Sequence, residues 1–310
     1  MNQLIRNVLT PLAIWRDRLL ASFPVATEAG DFLMEPSPAP LVSSSLPPTL
    51  SNPSWQLVTS DQYLEPEHIR WCEELRLEPR CYRKQWEWTY ILEVLRKHEM
   101  LQVGKTGLGF GCGLEPLSAI MAKHGCNIIA TDLADEAAAK TGWSTSGQFA
   151  RQLKDLNNEG LCDPKVFTNQ VNFRHCNMNA IDDDLREFDF LWSSCSLEHL
   201  GGIEAGLRFI ENAMKCLRPG GIAVHTTEFN LGSNDKTVDR PSICVFRKQD
   251  IESLALRLIG NGHKVGMLNF TPGNGEHDLH IDLPPHKGYI HLRLLLKRHL
   301  STSIGIFITC

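Results

Sequence analysis

The sequence lacks the features that mark several common classes of protein. Its 31 Lys and Arg residues are outnumbered by 36 Asp and Glu, for a formal net charge of −5. They form no long basic run, which argues against a nucleic-acid partner bound through its phosphates. None of the ten cysteines belongs to a Cys-x-x-Cys pair, so a zinc ribbon and a disulfide scaffold are both disfavoured. Many of these cysteines lie in apolar stretches, as free thiols do in a reducing compartment, which predicts a cytoplasmic protein.

Long uncharged apolar runs are also missing. Within residues 1–23 the apolar positions are interrupted by Arg6, Pro11 and Arg16-Asp17-Arg18, which spoils a signal-peptide core or a transmembrane span. Residues 1–24 are predicted to form an amphipathic helix that serves for docking, and peripheral membrane contact through residues 1–23 stays open. The Pro- and Ser-rich composition around residues 35–54 predicts a linker or extended arm over residues 25–60.

The most informative stretch runs from Lys105 to Leu133. A short apolar strand leads into the glycines Gly109, Gly111 and Gly113, a helical stretch follows, and a second strand ends in Asp132. Glycines let the backbone approach a ligand closely, and a carboxylate at the end of the next strand is placed to bind ribose hydroxyls. The pattern predicts a nucleotide-type pocket at the carboxyl end of a parallel sheet.

The glycine spacing separates two interpretations of this pocket. A dinucleotide fold requires Gly-x-Gly-x-x-Gly, with a pyrophosphate held at the start of the helix. Here the spacing is Gly-x-Gly-x-Gly, and Leu114-Glu115 places an anionic side chain where the pyrophosphate would lie. A ligand with a positive centre and no phosphate fits better, and an NAD-dependent oxidoreductase is kept as the alternative.

This stretch resembles motif I of the class I S-adenosylmethionine-dependent methyltransferases. Two further segments are similar to that family: the apolar run 188–193 that leads into Leu197-Glu198-His199, and the Leu-Arg-Pro-Gly-Gly turn at 217–221. The resemblance implies an α/β three-layer sandwich with a seven-stranded, mostly parallel sheet, carrying an N-terminal helical extension. It implies a methyltransferase domain over residues 61–310, with a helical cap at 61–104 and an acceptor loop at 271–286.

The resemblance also implies S-adenosyl-L-methionine as cofactor and assigns residues to it. The three glycines would form the turn beside the cofactor, and Asp132 would bind its ribose. Asn177 would accept a hydrogen bond from the adenine amino group, and Met178 would pack on the ring. Ser193 and Ser194 would touch the methionine part. The full predicted set is Gly109, Gly111, Gly113, Asp132, Asn177, Met178, Ser193 and Ser194.

Methyl transfer to oxygen also requires a base, and three residues are candidates. His199 follows the strand beside the methyl group, Glu228 ends the fifth strand, and His280 lies in the polar loop at 271–286. No metal is predicted, although Glu228, Asp235, His280 and Asp282 would suit magnesium if they converged.

The sequence therefore predicts a methyltransferase acting by in-line transfer on a hydroxyl of a small molecule or glycan. The alternatives are the oxidoreductase and a catalytically silent scaffold that binds S-adenosylmethionine. The acceptor and the oligomeric state are not determined by the sequence.

Overall fold

Strands and helices alternate along most of the described chain. The computed structural model describes residues 41–134, 150–157 and 159–310. The strands are β1 (Trp55–Leu57), β2 (Thr106–Phe110), β3 (Asn127–Asp132), β4 (Val171–His175), β5 (Phe188–Ser194), β6 (Leu217–Asn230), β7 (Asp239–Arg240), β8 (Ile243–Cys244), β9 (Lys264–Val265), β10 (Leu268–Asn269), β11 (Ile281–Asp282), β12 (Arg293–Leu296) and β13 (His299–Thr309). The α-helices are α1 (Pro66–Glu74), α2 (Arg83–Lys97), α3 (Leu117–Lys123), α4 (Pro164–Gln170), α5 (Ile203–Ala213), α6 (Lys248–Gly260) and α7 (Glu276–Leu279).

One mixed sheet contains all of these strands except β7 and β8, which pair with each other, and its main path has the order β10-β1-β13-β6-β5-β2-β3-β4. The five strands from β4 to β6 are parallel, whereas β13 is antiparallel to β6 and to β1. The chain passes from β2 outward to β3 and β4, then returns to β5 on the other side of β2. The switch point therefore lies between β2 and β5, and ligands bind outside the carboxyl ends of the strands at such a point.

Two hydrophobic cores lie on opposite faces of the sheet. Successive side chains of a strand point to opposite faces, so Phe190 and Trp192 of β5 join one core while Leu191 joins the other. Trp86 of α2 packs in the first core, and Leu254 of α6 packs in the second. Helices thus cover both faces, which gives the three layers.

The predicted α/β fold class is confirmed, and the sheet is larger than the seven strands expected. The short strands β9 and β12 add to β13, β11 adds to β12, and β1 comes from the segment 25–60 that was predicted to be a linker. The Arg-Pro-Gly-Gly turn lies inside β6, which begins at Leu217. The predicted N-terminal helix, residues 1–24, lies outside the described residues. No helix in the described ranges has both the length and the apolar character needed to cross a membrane.

Candidate functional site

The turn after β2 requires glycine for two different reasons. A Cβ on Gly109 would lie 2.4 Å from both the Trp192 ring and Cys112 Sγ, so the strand has no space for a side chain there. Gly111 has φ +58°, and a Cβ on it would lie 2.9 Å from the Cβ of Ser196. The left-handed conformation disfavours other residues. Gly113 also has a positive φ, of 52°. The turn therefore brings bare backbone to the switch point.

Asp132, the last residue of β3, is bonded to this turn. Its Oδ2 accepts hydrogen bonds from the backbone N–H groups of Gly113, at 3.1 Å, and Ala150, at 3.3 Å. Its Oδ1 accepts one from Leu133 N–H at 2.8 Å, and the residue is buried. The structure thus brings the predicted ribose ligand and the predicted glycines together.

The other predicted cofactor residues occupy different surroundings. Met178 is buried, and its sulfur would lie 3.4 Å from a Cβ on Gly111. Asn177 is exposed, and its Oδ1 accepts a hydrogen bond from Asn179 N–H. The Ser193 hydroxyl lies 2.7 Å from His225 Nδ1 inside the protein, and Ser194 Oγ accepts a hydrogen bond from Lys84. Met178 therefore lies against the glycine turn, and Ser194 contacts Lys84. The Ser193 hydroxyl, in contrast, is bonded to His225 in the interior.

A pocket of about 350 Å³ opens between the start of α2, the ends of β5 and β6, and the segment before and within β12. Polar, ionisable and apolar side chains share its wall. It is lined by Tyr82, Arg83, Lys84, Glu87, Cys195, Glu198, His199, Glu228, Ile243, His286, His291, Leu294 and Leu296. We refer to it as the acceptor pocket.

Ion pairs join the two sides of the acceptor pocket. Arg83 pairs with Glu228, and its Nη1 lies 3.8 Å from Glu87. Lys84 Nζ lies 2.7 Å from Glu115 of the glycine turn and 3.3 Å from Glu87. Glu87 and Glu228 are almost fully buried, and the Glu115 side chain is 12% exposed. The adjacent residues Arg83 and Lys84 thus pair with Glu228 in the acceptor pocket and with Glu115 in the glycine turn, respectively. Helix α2 therefore connects the two.

Burial and charge shift the pKa values of this cluster in opposite directions. Burial opposes the charged form of Lys84, but Glu115 and Glu87 outweigh it and hold the pKa of Lys84 well above its ordinary value. Burial likewise opposes ionisation of Glu87, but Lys84 and Arg83 lower its pKa. For Glu115, burial wins over Lys84 and raises its pKa. Arg83, Lys84 and Glu87 therefore carry their charges at neutral pH.

The structure brings two of the three predicted bases together. His199 and Glu228 both line the acceptor pocket, whereas His280 is exposed and is not among the described residues that line it. Glu228 is engaged on both oxygens, by Arg83 and by the Ser301 hydroxyl at 2.8 Å. His199 Nδ1 donates to the backbone carbonyl of Ser242 at 2.8 Å, which places the ring lone pair of the neutral form on Nε2.

Several residues of the pocket were missed by sequence reasoning. Glu198 is buried, accepts a hydrogen bond from Thr227, and has its pKa raised by burial. Cys195 has φ +45°, a left-handed conformation at the end of β5. His291 lines the pocket from a stretch in which no motif was recognised. Of these residues, Glu198 had a signal in the sequence, because it belongs to the Leu-Glu-His segment that matched the family.

The described residues contain no group of three or more His, Cys, Asp or Glu side chains arranged to hold a metal ion. Among the four residues considered for magnesium, Glu228 pairs with Arg83 and Asp282 pairs with His291.

A family model described as a methyltransferase domain matches residues 82–258. Solved structures with similar folds include the methyltransferase domain of bacterial CtHen1-CN, at 13% identity over 74% of this chain and 100% of that one, with a TM-score of 0.45. An S-adenosylmethionine dependent methyltransferase from Mesorhizobium loti is 13% identical over 70% and 96%, with a TM-score of 0.42. Magnesium protoporphyrin IX methyltransferase (ChlM) from Synechocystis PCC 6803 is 12% identical over 80% and 93%, also with a TM-score of 0.42. Similarities this low carry no information about the acceptor. A comparison with curated proteins gives no match.

Proposed function

Because the chain belongs to the class I S-adenosylmethionine-dependent methyltransferases, whose domain model covers residues 82–258, we propose that it methylates a hydroxyl oxygen of a small molecule or glycan. S-adenosylmethionine is the cofactor. The observation that carries the proposal is the acceptor pocket, which is connected to the glycine turn through the Lys84–Glu115 ion pair and is lined by histidines, paired charges and apolar side chains.

The residues around the glycine turn fit this cofactor. Glu115 Oε2 and Ser196 Oγ are buried and have no hydrogen-bond partner among the described residues, so both can receive polar groups of a ligand. Gly111 offers close backbone approach, and Asp132 is a carboxylate at the end of β3. When bound, the cofactor supplies an electrophilic methyl carbon. Glu115 and Ser196 would hold its methionine part, and Asp132 its ribose.

The charges of the acceptor pocket favour a neutral acceptor. Arg83 and Lys84 are each paired with carboxylates, so within the described residues these cations are not available to an anionic group without breaking an ion pair. Ile243, Leu294 and Leu296 add an apolar wall. A neutral molecule with hydroxyls at its edge and an apolar face, such as a sugar ring, matches this combination.

The protein's own contribution to transfer is alignment and proton acceptance. A well-oriented displacement gains most of its rate from proximity, and a base of suitable pKa adds a further factor. Both oxygens of Glu228 are already engaged, by Arg83 and by Ser301, so an acceptor hydroxyl would have to displace one of these partners. A histidine with its lone pair on Nε2 is better suited, and His199 has that arrangement.

Calorimetry with S-adenosylmethionine and S-adenosylhomocysteine tests the cofactor site. We expect micromolar binding, about −8 kcal/mol, that is lost in Asp132→Ala. The matched control is Asp184→Ala, since Asp184 is an exposed carboxylate paired with Arg174. Binding of NAD without affinity for the sulfonium cofactor would reopen the oxidoreductase interpretation.

Release of S-adenosylhomocysteine with a panel of acceptors tests the reaction. The panel comprises polyols, methyl glycosides, sugar nucleotides and oligosaccharides, with amino sugars for comparison. We expect turnover with hydroxyl acceptors. Turnover confined to amines would refute hydroxyl methylation, and failure of every sugar nucleotide and oligosaccharide would refute the glycan class. Cofactor binding without turnover on any acceptor would support the silent scaffold.

A further inference from the structure

A second histidine of the acceptor pocket is held by a carboxylate. His291 Nδ1 lies 2.6 Å from Asp282 Oδ2, and the two side chains are only 14% and 6% exposed. An ionised carboxylate accepts but does not donate, so the proton of the neutral ring lies on Nδ1 and the lone pair on Nε2. Within the described part of the chain, Nε2 has no hydrogen-bond partner. His291, which lines the pocket, thus has a basic nitrogen whose tautomer is set by Asp282.

The backbone around this pair is fixed on both sides. His291 N–H donates to the carbonyl of Cys81 at 2.9 Å, and His291 C=O accepts from Arg83 N–H at 3.0 Å. The Tyr82 ring lies against the imidazole, with centroids 5.1 Å apart. Asp282 is held in turn by the pairing of β11 with β12 and by Gly288 N–H, which donates to its Oδ1. The imidazole is therefore positioned before any acceptor arrives.

We propose that His291, oriented by Asp282, is the base that accepts the proton of the acceptor hydroxyl during methyl transfer. The inference rests on the proposed function and specifies its catalytic residue. The O–H bond of the acceptor breaks and its proton passes to Nε2. The oxygen electron pair forms the new bond to the methyl carbon, and the electron pair of the carbon–sulfur bond remains on sulfur. The positive charge of the sulfonium is thereby replaced by that of the imidazolium.

The group bonded to Nδ1 distinguishes His291 from His199, although the charge of His199 also interacts with the buried carboxylate of Glu198. As a proton reaches Nε2, the imidazolium is stabilised by the negative charge of Asp282, whereas the Nδ1 partner of His199 is the neutral carbonyl of Ser242. His199 is also exposed, whereas His291 is mostly shielded from solvent. Electrostatic stabilisation is stronger where water is excluded. Both differences favour His291 as the proton acceptor.

The groups that face His291 set its protonation. Burial lowers its pKa, the hydrogen bond and charge of Asp282 raise it, and the charges of Arg83 and His286 lower it. The net effect is a lowered pKa, which leaves the ring neutral and able to accept a proton at pH 7. Removing the negative charge of Asp282 lowers this pKa further, because the imidazolium loses its counter-charge.

The test compares His291→Gln, Asp282→Asn and His199→Gln in their pH profiles of kcat, using the hydroxyl acceptor that emerges from the panel. We expect His291→Gln to retain calorimetric binding of S-adenosylmethionine while kcat falls by about 10²–10⁴, the factor typical of a general base. In Asp282→Asn the acidic limb of the profile is expected to move to lower pH. In His199→Gln the acidic limb is expected to stay at its wild-type position.

Each outcome separates this inference from the function on which it rests. A wild-type acidic limb in His291→Gln, or loss of that limb in His199→Gln, overturns the assignment while leaving hydroxyl methylation intact. Cofactor binding without turnover on any hydroxyl acceptor overturns both. If His291→Gln fails to bind the cofactor because it does not fold, the limb of the milder Asp282→Asn decides: an unshifted limb overturns the assignment.

Discussion

Replacing Arg83 by methionine tests whether the buried charges of the acceptor pocket stabilise one another. Arg83 pairs with Glu228, donates to Ser303 Oγ at 3.3 Å and lies 3.8 Å from Glu87. Its side chain is 16% exposed, against 6% for Glu228 and 0% for Glu87. Arg83→Met leaves Glu228 with the Ser301 hydroxyl but without a cation.

The expected loss is large because the remaining carboxylate cannot be solvated. Removing one partner of a buried ion pair costs about 3–5 kcal/mol. An exposed pair contributes about 0–1 kcal/mol. The matched control is therefore Arg174→Met, since Arg174 is 35% exposed and its partner Asp184 is 68% exposed. The double variant Arg83→Met/Glu228→Gln removes the stranded charge and is expected to recover part of the loss.

Urea unfolding followed by tryptophan fluorescence measures these differences. We expect the midpoint for Arg83→Met to fall with an unchanged slope, which reports a change in stability and not in the surface exposed on unfolding. A loss no greater than that of Arg174→Met would refute the reasoning. So would a double variant less stable than Arg83→Met, because the stranded charge would then not be the cause.

Three further predictions concern the interior and the glycine turn. Gly111→Ala is expected to lower the free energy of unfolding by about 1–2 kcal/mol from its positive φ, and to weaken cofactor binding in calorimetry because its Cβ meets Ser196. Burial lowers the pKa of His225 to about 3, so the unfolded state binds a proton below pH 6.5 that the folded state does not. Wild-type stability should therefore fall by about 1.4 kcal/mol more than that of His225→Gln between pH 7.5 and pH 5.5, measured by urea unfolding. Lys84→Met removes the cation beside Glu115 and is expected to weaken cofactor binding by about tenfold, or 1.4 kcal/mol.

Each of these three has a control. Gly220 has φ +79° with nothing within 4 Å of an added Cβ, so Gly220→Ala should cost stability without affecting cofactor binding. For His225 the comparison is the exposed His175, and equal pH dependence of His225→Gln and wild type would contradict the assignment. For Lys84 the comparison residue is Lys248, whose ion pair with Glu252 is exposed. Unchanged cofactor affinity in Lys84→Met would show that Glu115 does not depend on it.

The parallel part of the sheet was predictable because its signals are local. The strand expected from the apolar run 188–193 is observed as β5, Phe188–Ser194. Apolar runs end at glycines or small polar residues within a few positions. At the glycine turn, Gly109 and Asp132 reach the same place because they end adjacent parallel strands.

The acceptor side was not predictable because its contacts are distant in sequence. Trp55–Leu57 is too short for a periodic signal, and it pairs with β13, some 250 residues later. Arg83 and Glu228 meet only through the packing of α2 on the sheet. His291 and Asp282 meet because β11 pairs with β12. The loop 271–286 attracted attention for its histidines, yet His280 is exposed and the histidine held by a carboxylate lies beyond it.

The start of α2 carries two cations where the helix dipole disfavours them, and this unfavourable placement indicates that the cations have a role outside the helix. A helix N-terminus carries partial positive charge and disfavours cations by about 0.3–1 kcal/mol each. The first turn of α2 nevertheless carries Arg83 and Lys84 and no acidic residue. Glu87, one turn later, Glu115 of the glycine turn and Glu228 of β6 offset that cost. Arg83 also donates its N–H to the His291 carbonyl. Because this first turn pairs with Glu115 of the glycine turn and with Glu228, and bonds the backbone of His291, its charges serve the geometry of the site and not the stability of the helix.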